Sequence, residues 1–221
     1  MAKYLHLDSF LKRRDSDRSV FIWNLDIAAR AETAGVNGFL DGITKIKVFK
    51  TSFPTIYANT VTMLIKELST HSFKGMYGNY HFEFDLINDP RRVGITAKPI
   101  IPEVIFPKTN LLDTITLEFR NPDQHIQFPP DILYDAEVKI IDNEVVVYYP
   151  NHGLQDGELI FLEYFGNIQP YELNKLTGHL VESSLENEFK IGINIIMPNT
   201  EIGVAYIKVA SRRIRINLEL Q

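Results

Sequence analysis

The sequence predicts an all-β protein whose antiparallel strands form a sandwich or a barrel. Hydrophobic and polar residues alternate in several segments, most clearly over 80–86, 115–120 and 213–220. A strand with this period of two buries one face and exposes the other, as strands of antiparallel sheets do. Turn-forming residues at 88–90 and 142–143 separate the segments, and helical periodicity is scarce. Many short strands between turns are typical of sandwiches and barrels.

The less regular segments also favour extended structure over helix. Residues 43–53 form a run with strand character. Residues 59–68 are rich in Thr, Val and Ile, so we expect a strand there and not a helix. The helix-compatible segment 28–34 is short and lies among glycines, which predicts a loop. Residues 98–107 carry three prolines, each of which removes a backbone donor, and are expected to be extended or irregular.

Composition limits the classes of function. The chain has 221 residues, of which 45% are hydrophobic, enough for one large β domain or for one domain with a smaller insert. It has no cysteine, which excludes disulfides and thiolate metal sites and fits folding in a reducing cytoplasm. The net charge of −5 argues against general nucleic-acid binding. No segment has the pattern of a signal peptide or the length of a membrane span.

The second half of the chain opens with a predicted hairpin. Residues 137–141 and 144–149 flank Asp142-Asn143, a pair that favours a tight two-residue turn. The hairpin runs into N-H-G-L-x-D-G-E at 151–158. Over about 134–196 the pattern resembles small β-barrel repeats of phage and viral tail, spike and capsid proteins, in which His-Gly and Asp-Gly turns lead into the next strand. The resemblance implies a small β-barrel-like domain.

The start of the chain carries another pattern. Leu-Asp-Ser at 7–9 is followed by a charged Arg/Asp segment at 13–18, by an alternating strand at 43–48, and by a Pro and a Tyr within 54–57. This order resembles the start of single jelly-roll virion proteins of nucleocytoplasmic large DNA viruses. The resemblance implies that the first half of the chain forms most of a jelly roll.

A later segment extends this resemblance to the domain organisation. Residues 114–123 resemble a late strand and turn of these capsid proteins, with Gln124 where they often have Gly. The strand that closes the sheet of these proteins has its best counterpart only near the C-terminus. We therefore expect an antiparallel jelly-roll sandwich formed by residues 1–132 and 205–221, with a small inserted β domain at 133–204.

The resemblance implies a structural function. A single jelly roll of this size is expected to form the penton, the vertex capsomer of a large icosahedral double-stranded DNA virus, as a homopentamer with the insert facing outward. Its expected partners are copies of itself, the major capsid protein and minor capsid proteins, in a virion assembled in the host cytoplasm. A minor capsid or cement protein is the alternative within this class. No direct nucleic-acid binding and no transmembrane segment are expected.

Basic residues are the predicted charged contacts between subunits. These five are Arg13, Arg14, Arg18, Lys45 and Lys47. For Asp8, Asp15 and Asp17, salt bridges to the neighbouring arginines and strand-entry caps are favoured over a calcium site. The reason is that Arg18 stands where a calcium loop needs further oxygen ligands.

A carbohydrate- or receptor-binding module is the alternative from another class, because jelly rolls also serve as lectin domains. Adjacent aromatic residues such as Tyr164-Phe165 point to opposite faces of a strand, so one member of the pair leaves the core. The predicted ligand or receptor surface consists of Tyr164, Tyr171 and His152. For His152, a structural role in holding its turn is the favoured interpretation.

No residue is assigned a catalytic role. No two histidines have metal-binding spacing, and the sequence contains neither a nucleophile elbow nor a Gly-rich phosphate loop. No two of the 28 acidic residues stand out as a catalytic pair. The sequence therefore predicts a protein that is not an enzyme and that needs no cofactor and no metal.

Overall fold

The computed structural model describes residues 3–14, 16, 18–24, 42–54, 58–75, 78–87, 95–109, 114–121, 124–165, 173–196 and 200–221. These residues form eighteen β-strands and three short 3-10 helices, and they contain no α-helix. The predicted all-β fold class is confirmed. None of the helices in this part of the chain is long and apolar enough to cross a membrane.

The strands and helices have the following bounds. The strands are β1 (Lys3–Asp8), β2 (Val20–Asn24), β3 (Ile43–Phe53), β4 (Thr60–Ile65), β5 (Phe73–Gly75), β6 (Gly78–Tyr80), β7 (Phe82–Ile87), β8 (Ile95–Pro99), β9 (Glu103–Thr109), β10 (Thr114–Asn121), β11 (Gln124–His125), β12 (Ile132–Ile141), β13 (Glu144–Tyr148), β14 (Leu159–Tyr164), β15 (His179–Ser184), β16 (Glu188–Asn194), β17 (Thr200–Val209) and β18 (Arg215–Leu220). The 3-10 helices are Ser9–Leu11, Lys66–His71 and Ala210–Arg212.

The chain forms two compact units. The sandwich unit comprises residues 1–129 and 212–221, and the barrel unit comprises residues 130–211. The second bound differs from the expected one because β17 continues through residues 205–209, which the sequence had suggested for the sandwich. Among the C-terminal strands, β18 alone pairs with strands of the sandwich unit.

A ten-stranded antiparallel sheet wraps around the core of the sandwich unit. Its strand order is β1-β18-β3-β8-β7-β4-β10-β11, with β2 also paired to β10 and β9 to β3. The long strand β3 pairs with β9 through its first half and with β8 through its last residues, so that one strand serves both parts of the sheet. Strand β18 lies between β1 and β3, which makes the first and last strands of the chain neighbours. The antiparallel sandwich expected from the jelly-roll resemblance is therefore present.

Alternating side chains of these strands fill one hydrophobic core. Strand β1 contributes Leu5 and Leu7, and β18 contributes three residues of the same phase up to Leu220. Five phenylalanines pack ring against ring with centroid separations of 5.5–5.9 Å: Phe21, Phe53, Phe84, Phe119 and Phe128. Each fully buried Phe contributes about 2 kcal/mol of hydrophobic stabilisation. Strands that are far apart in sequence are thereby held against one another.

The barrel unit is a closed six-stranded barrel. Its strand order is β12-β13-β16-β15-β14-β17, and all six pairings are antiparallel. Closure leaves no open sheet edge, which removes the aggregation hazard of unpaired edge strands. The interior is filled by buried aliphatic side chains together with Tyr164 and Phe189.

Tight turns shape the barrel as the sequence predicts. Asp142 and Asn143 have φ angles of 52° and 68°, which places both central residues of the β12–β13 hairpin in the left-handed region of a type I′ turn. Asp135, with a φ of 58°, lies where the pairing of β12 with β17 shifts register between Leu133 and Ala136. Such a bulge bends the strand and helps the sheet to close.

Candidate assembly surface

One outward sheet surface of the sandwich unit carries two of the predicted contact residues. We call it the outer face and define it by these side chains of β1, β18, β3 and β9: Tyr4, Glu219, Lys45, Lys47, Phe49, Glu103 and Ile105. Strand register places Tyr4, Glu219, Lys47 and Glu103 in one row across the four strands. Opposite charges are therefore cross-strand neighbours, which stabilises the sheet modestly.

Large hydrophobic side chains interrupt this polar row. Tyr4 is 51% exposed, Phe49 50% and Ile105 72%. The rings of Tyr4 and Phe49 meet edge to face with centroids 5.9 Å apart. Apolar groups gathered on an outward sheet face are typical of a surface that another protein covers.

The sequence carried a signal for these three residues, and the site predictions missed it. Each occupies the polar phase of an alternating strand: Tyr4 precedes buried Leu5, and Ile105 stands between two buried residues of β9. Phe49 follows buried Val48 at a register shift between β18 and β3. A large hydrophobic residue at an outward-facing position of a strand can be recognised from the sequence alone, and it indicates a contact surface.

Lys45 and Lys47 lie beside acidic residues of the neighbouring strands. Lys45 Nζ lies 2.8 Å from Glu103 Oε2, and Lys47 pairs in register with both Glu103 and Glu219. Exposed ion pairs of this kind contribute little to stability because water and salt screen them. In protein interfaces, charges of this kind contribute to specificity through electrostatic complementarity.

The three predicted arginines lie on the connection between β1 and β2. Arg13, Arg14 and Arg18 are exposed. The backbone N–H of Arg13 donates to the carbonyl of Ile22 at 2.7 Å, and Arg18 Nε donates to the carbonyl of Phe128 at 3.1 Å. The structure thus places both lysines near Glu103 and the arginines on the connection between β1 and β2, where Arg18 holds the segment that carries Phe128.

Asp8 has a different partner from the one that the sequence suggested. Its carboxylate is 3% exposed, accepts a hydrogen bond from Arg213 Nε at 2.8 Å and also pairs with Arg213 Nη2. The Asp8 carbonyl accepts from Trp23 Nε1 at 2.8 Å. Arg213 follows Asp8 by 205 positions in the sequence. The arginines near Asp8 in sequence were therefore the wrong candidates for its ion pair. Asp15 and Asp17 lie outside the described residues.

The neighbouring Ser9 strengthens this connection between the chain ends. Its backbone N–H donates to the Ile214 carbonyl at 2.9 Å, and the Ile214 N–H donates to Ser9 Oγ at 3.0 Å. Asp8 and Ser9 together fasten the end of β1 to the start of β18. The Leu-Asp-Ser pattern therefore has a structural function in this fold.

Two of the three predicted ligand-surface residues lie inside the barrel. Tyr164 is buried in the barrel core, and its hydroxyl donates to the Ile202 carbonyl. His152 is also buried: Nδ1 accepts from the Leu154 N–H at 3.0 Å, and Nε2 faces the Glu188 carbonyl at 3.3 Å. Neither side chain is placed to stack on an external ligand, and the contacts of His152 lie within its own turn and with strand β16. Tyr171 lies outside the described residues.

Among the described residues, Tyr148 and Lys190 have raised pKa values, and the partly buried His179 and Glu118 have lowered ones. Burial lowers the pKa of His179, against the opposing effect of its hydrogen bond to the Leu173 carbonyl. Burial alone would raise the pKa of the Glu118 carboxyl, but hydrogen bonds and charges from Arg120 and Lys66 outweigh it, and the pKa lies below its usual range. The fold therefore favours the neutral form of His179 and the ion-paired form of Glu118. No described contact joins either residue to the outer face.

Comparison with known proteins gives relatives of one kind. No protein-family model matches the chain. The chain is 26% identical over 160 residues to the penton protein of African swine fever virus, Badajoz strain, and 26% identical over 159 residues to that of a warthog isolate. The matches cover 66% of this chain and 64% and 65% of the relatives, less than two thirds of their length.

These relatives are structural proteins and not enzymes, in agreement with the prediction for this chain. The predicted resemblance to capsid proteins of large DNA viruses is likewise confirmed as a distant homology. The chain is a distant homologue of a viral penton protein, and its all-β fold with an antiparallel sandwich and a closed barrel fits a jelly-roll capsid protein.

Proposed function

We propose that the chain is a capsid protein that occupies the vertices of a large icosahedral DNA virus as a homopentamer, with the barrel unit facing outward. The observation that carries the proposal is the similarity to the penton protein of African swine fever virus over 160 residues. This homology supports a structural role in a virion capsid. The five-fold state and the vertex position are inferred from the relative's name.

The outer face supplies a physical reason for assembly. It combines three exposed hydrophobic side chains with a row of alternating charges, and protein interfaces likewise contain both apolar and polar contacts. A contact in which one surface meets a different surface of the next copy closes into a ring when the rotation divides a full turn. We propose that the outer face forms one side of this contact, with the major and minor capsid proteins as further partners.

Native mass spectrometry of the purified chain tests the oligomeric state. The proposal predicts a species of five chains in exchange with the monomer. A stable dimer, with no incorporation of the protein into capsids that assemble in the host cytoplasm, would contradict it. A monomer that enters the shell away from the vertices would favour the alternative of a minor capsid or cement protein.

A pair of surface variants tests the outer face itself. Replacing Phe49 and Ile105 by Ser is expected to weaken pentamer formation at least about tenfold, because each removes an apolar anchor of the contact. Unfolding stability should change by less than about 0.5 kcal/mol, since both side chains are exposed in the monomer. Phe73→Ser is the matched control, because Phe73 is 48% exposed on β5, outside the outer face. If the outer-face substitutions and Phe73→Ser have equal effects on pentamer formation, this surface is excluded as the contact.

A further inference from the structure

The barrel unit presents an aromatic cluster on its outer surface that no prediction from the sequence assigned. The cluster consists of Tyr134 on β12, Tyr206 on β17 and Phe165 directly after β14. The ring of Tyr206 stands between the other two, with its centroid 4.7 Å from that of Phe165 and 5.1 Å from that of Tyr134. Phe165 is 52% exposed, and Val204 on the same strand as Tyr206 is also exposed.

Closure of the barrel explains why these rings point outward. Leu133, Ala136, Ala205 and Ile207 are fully buried, so their neighbours Tyr134 and Tyr206 take the opposite phase. Leu162 and Tyr164 fill the interior from β14, which turns Phe165 outward. The backbone N–H of Phe165 donates to the Val204 carbonyl at 3.0 Å and fixes the ring beside β17. Strand phase and this backbone hydrogen bond therefore place the three rings side by side.

Polar groups adjoin the rings in a defined arrangement. Glu163 pairs in register with Tyr206, and Lys208 Nζ lies 2.7 Å from Glu163 Oε2. A carboxylate has several acceptor positions and an ammonium group has three donors, so this pair can bind further hydroxyl groups while the two remain in contact. Aromatic rings beside a donor–acceptor pair match the chemistry of a sugar, whose C–H face packs on a ring while its hydroxyls make hydrogen bonds.

The size of the cluster favours a small ligand over a protein partner. Three partly covered aromatic side chains expose on the order of 300 Å² at most. A stable protein interface buries about 800 Å² on each partner. The cluster is thus too small to hold a protein alone, but it matches one or two sugar rings.

We propose that the aromatic cluster, together with Glu163 and Lys208, is a binding site for a glycan. The site differs from the one expected at Tyr164, Tyr171 and His152, of which Tyr164 and His152 are buried in the barrel unit. The cluster belongs to the barrel unit, whereas the outer face belongs to the sandwich unit. The two sites share no residue, so glycan binding is tested independently of the proposed vertex function.

The test uses the full chain on an array of mammalian N-glycans, O-glycans and glycosaminoglycan fragments, followed by titration of retained glycans. We expect at least one glycan to bind, and Phe165→Ser to weaken its binding at least about tenfold. Glu163→Gln should weaken it as well. Phe165 is exposed, so this substitution leaves the fold intact, and its thermal unfolding checks that directly.

Tyr148→Ser is the matched control on the same barrel. Tyr148 is half-buried on β13, where Lys139 Nζ lies 4.8 Å from the centroid of its ring. Glycan binding should survive this substitution. The proposal is overturned if no glycan is retained, if Phe165→Ser and Tyr148→Ser affect binding equally, or if Phe165→Ser instead dissociates an oligomer of the chain. Loss of the pentamer with glycan binding retained would overturn the vertex function alone.

Discussion

A single buried hydroxyl in the sandwich core leads to a stability prediction. Thr51 is fully buried, and its Oγ1 finds no hydrogen-bond partner among the described residues. A buried polar group without a partner costs about 1–3 kcal/mol. Thr51→Val keeps the shape and removes the hydroxyl, so we expect the free energy of unfolding to rise by about 1 kcal/mol. Fluorescence of Trp23, the only tryptophan of the chain, reports unfolding of this core.

Thr62→Val is the control for this prediction. Thr62 Oγ1 donates to the Arg120 carbonyl at 3.1 Å, so the same substitution there removes a hydrogen bond. It should lower the free energy of unfolding by about 1 kcal/mol. A decrease for both variants would show that the Thr51 hydroxyl has a stabilising partner.

The buried carboxylate of Asp8 gives a second prediction for a single residue. Asp8→Asn weakens the charged hydrogen bonds from Arg213 and should lower the free energy of unfolding by about 2 kcal/mol, measured by Trp23 fluorescence in urea. Asp85→Asn, at an exposed position of β7, serves as the control and should change it by less than about 0.5 kcal/mol. If Asp8→Asn leaves the free energy of unfolding unchanged, the proposed role of this contact in joining the chain ends is contradicted.

His179 predicts a pH dependence. Its pKa is lowered in the folded barrel by burial, so above the unfolded value of about 6.5 the ring is neutral in both states and stability is fully present. As the pH falls from about 6.5 through the lowered folded pKa, the unfolded chain binds the proton first and stability is lost. His179→Gln should flatten this loss between about pH 7 and pH 5 in thermal unfolding. Parallel pH profiles of the two proteins would contradict it.

Some single-residue roles could be predicted from strand phase and others could not. Ile160, Leu162 and Tyr164 share one phase of β14, which indicates that Tyr164 points inward and Phe165 outward. The contact of Asp8 with Arg213 had no such signal, because the partners lie at opposite ends of the chain. Whether a side chain faces inward or outward can be predicted from the residues of its own strand. The partner of an ion pair depends on how the whole chain folds.

Among the turns of the barrel, substitutions at two glycines distinguish the cost of backbone strain from the cost of steric overlap. Gly157 and Gly178 have φ angles of 83° and 75°, so a side chain at either is strained. A Cβ at Gly178 would also lie 2.6 Å from the Ile160 carbonyl oxygen, which β-pairing fixes, whereas a Cβ at Gly157 meets open space. Gly157→Ala should cost about 1 kcal/mol and Gly178→Ala about 3 kcal/mol.

Circular dichroism of urea-induced unfolding measures this difference, because Trp23 reports only the sandwich unit. Equal losses for the two variants would contradict the close approach at Gly178. An unchanged Trp23 transition in both variants would show that the effects are confined to the barrel.

Local sequence predicted elements well where a turn or an alternating phase defined them. The hairpin at 137–149 and the strand within 59–68 are confirmed, although the second ends in the 3-10 helix Lys66–His71. The segment 28–34 lies outside the described residues. The bulges in β3 and β12 had no sequence signal, because they depend on pairing with strands that are distant in the chain.

For the molecule as a whole, the expectation of a sandwich with an inserted β unit came from the resemblance to viral capsid and tail proteins, and the alternating pattern at both ends of the chain agreed with it. The structure divides the chain at residues 130 and 211, and β17 belongs to the barrel although its composition resembles that of β18. Composition does not distinguish two strands with the same phase, so only pairing fixes that bound. The domain bounds expected from the resemblance, with residues 133–204 as the insert, remain a proposal.

A cryo-electron microscopy map of the assembled virion tests the proposed vertex position most directly. We expect five copies of the chain at each five-fold vertex, with the sandwich unit of each copy in the ring contact and the barrel unit facing outward. Density for the chain beneath or between the major capsomers, with another protein at the vertices, would contradict it.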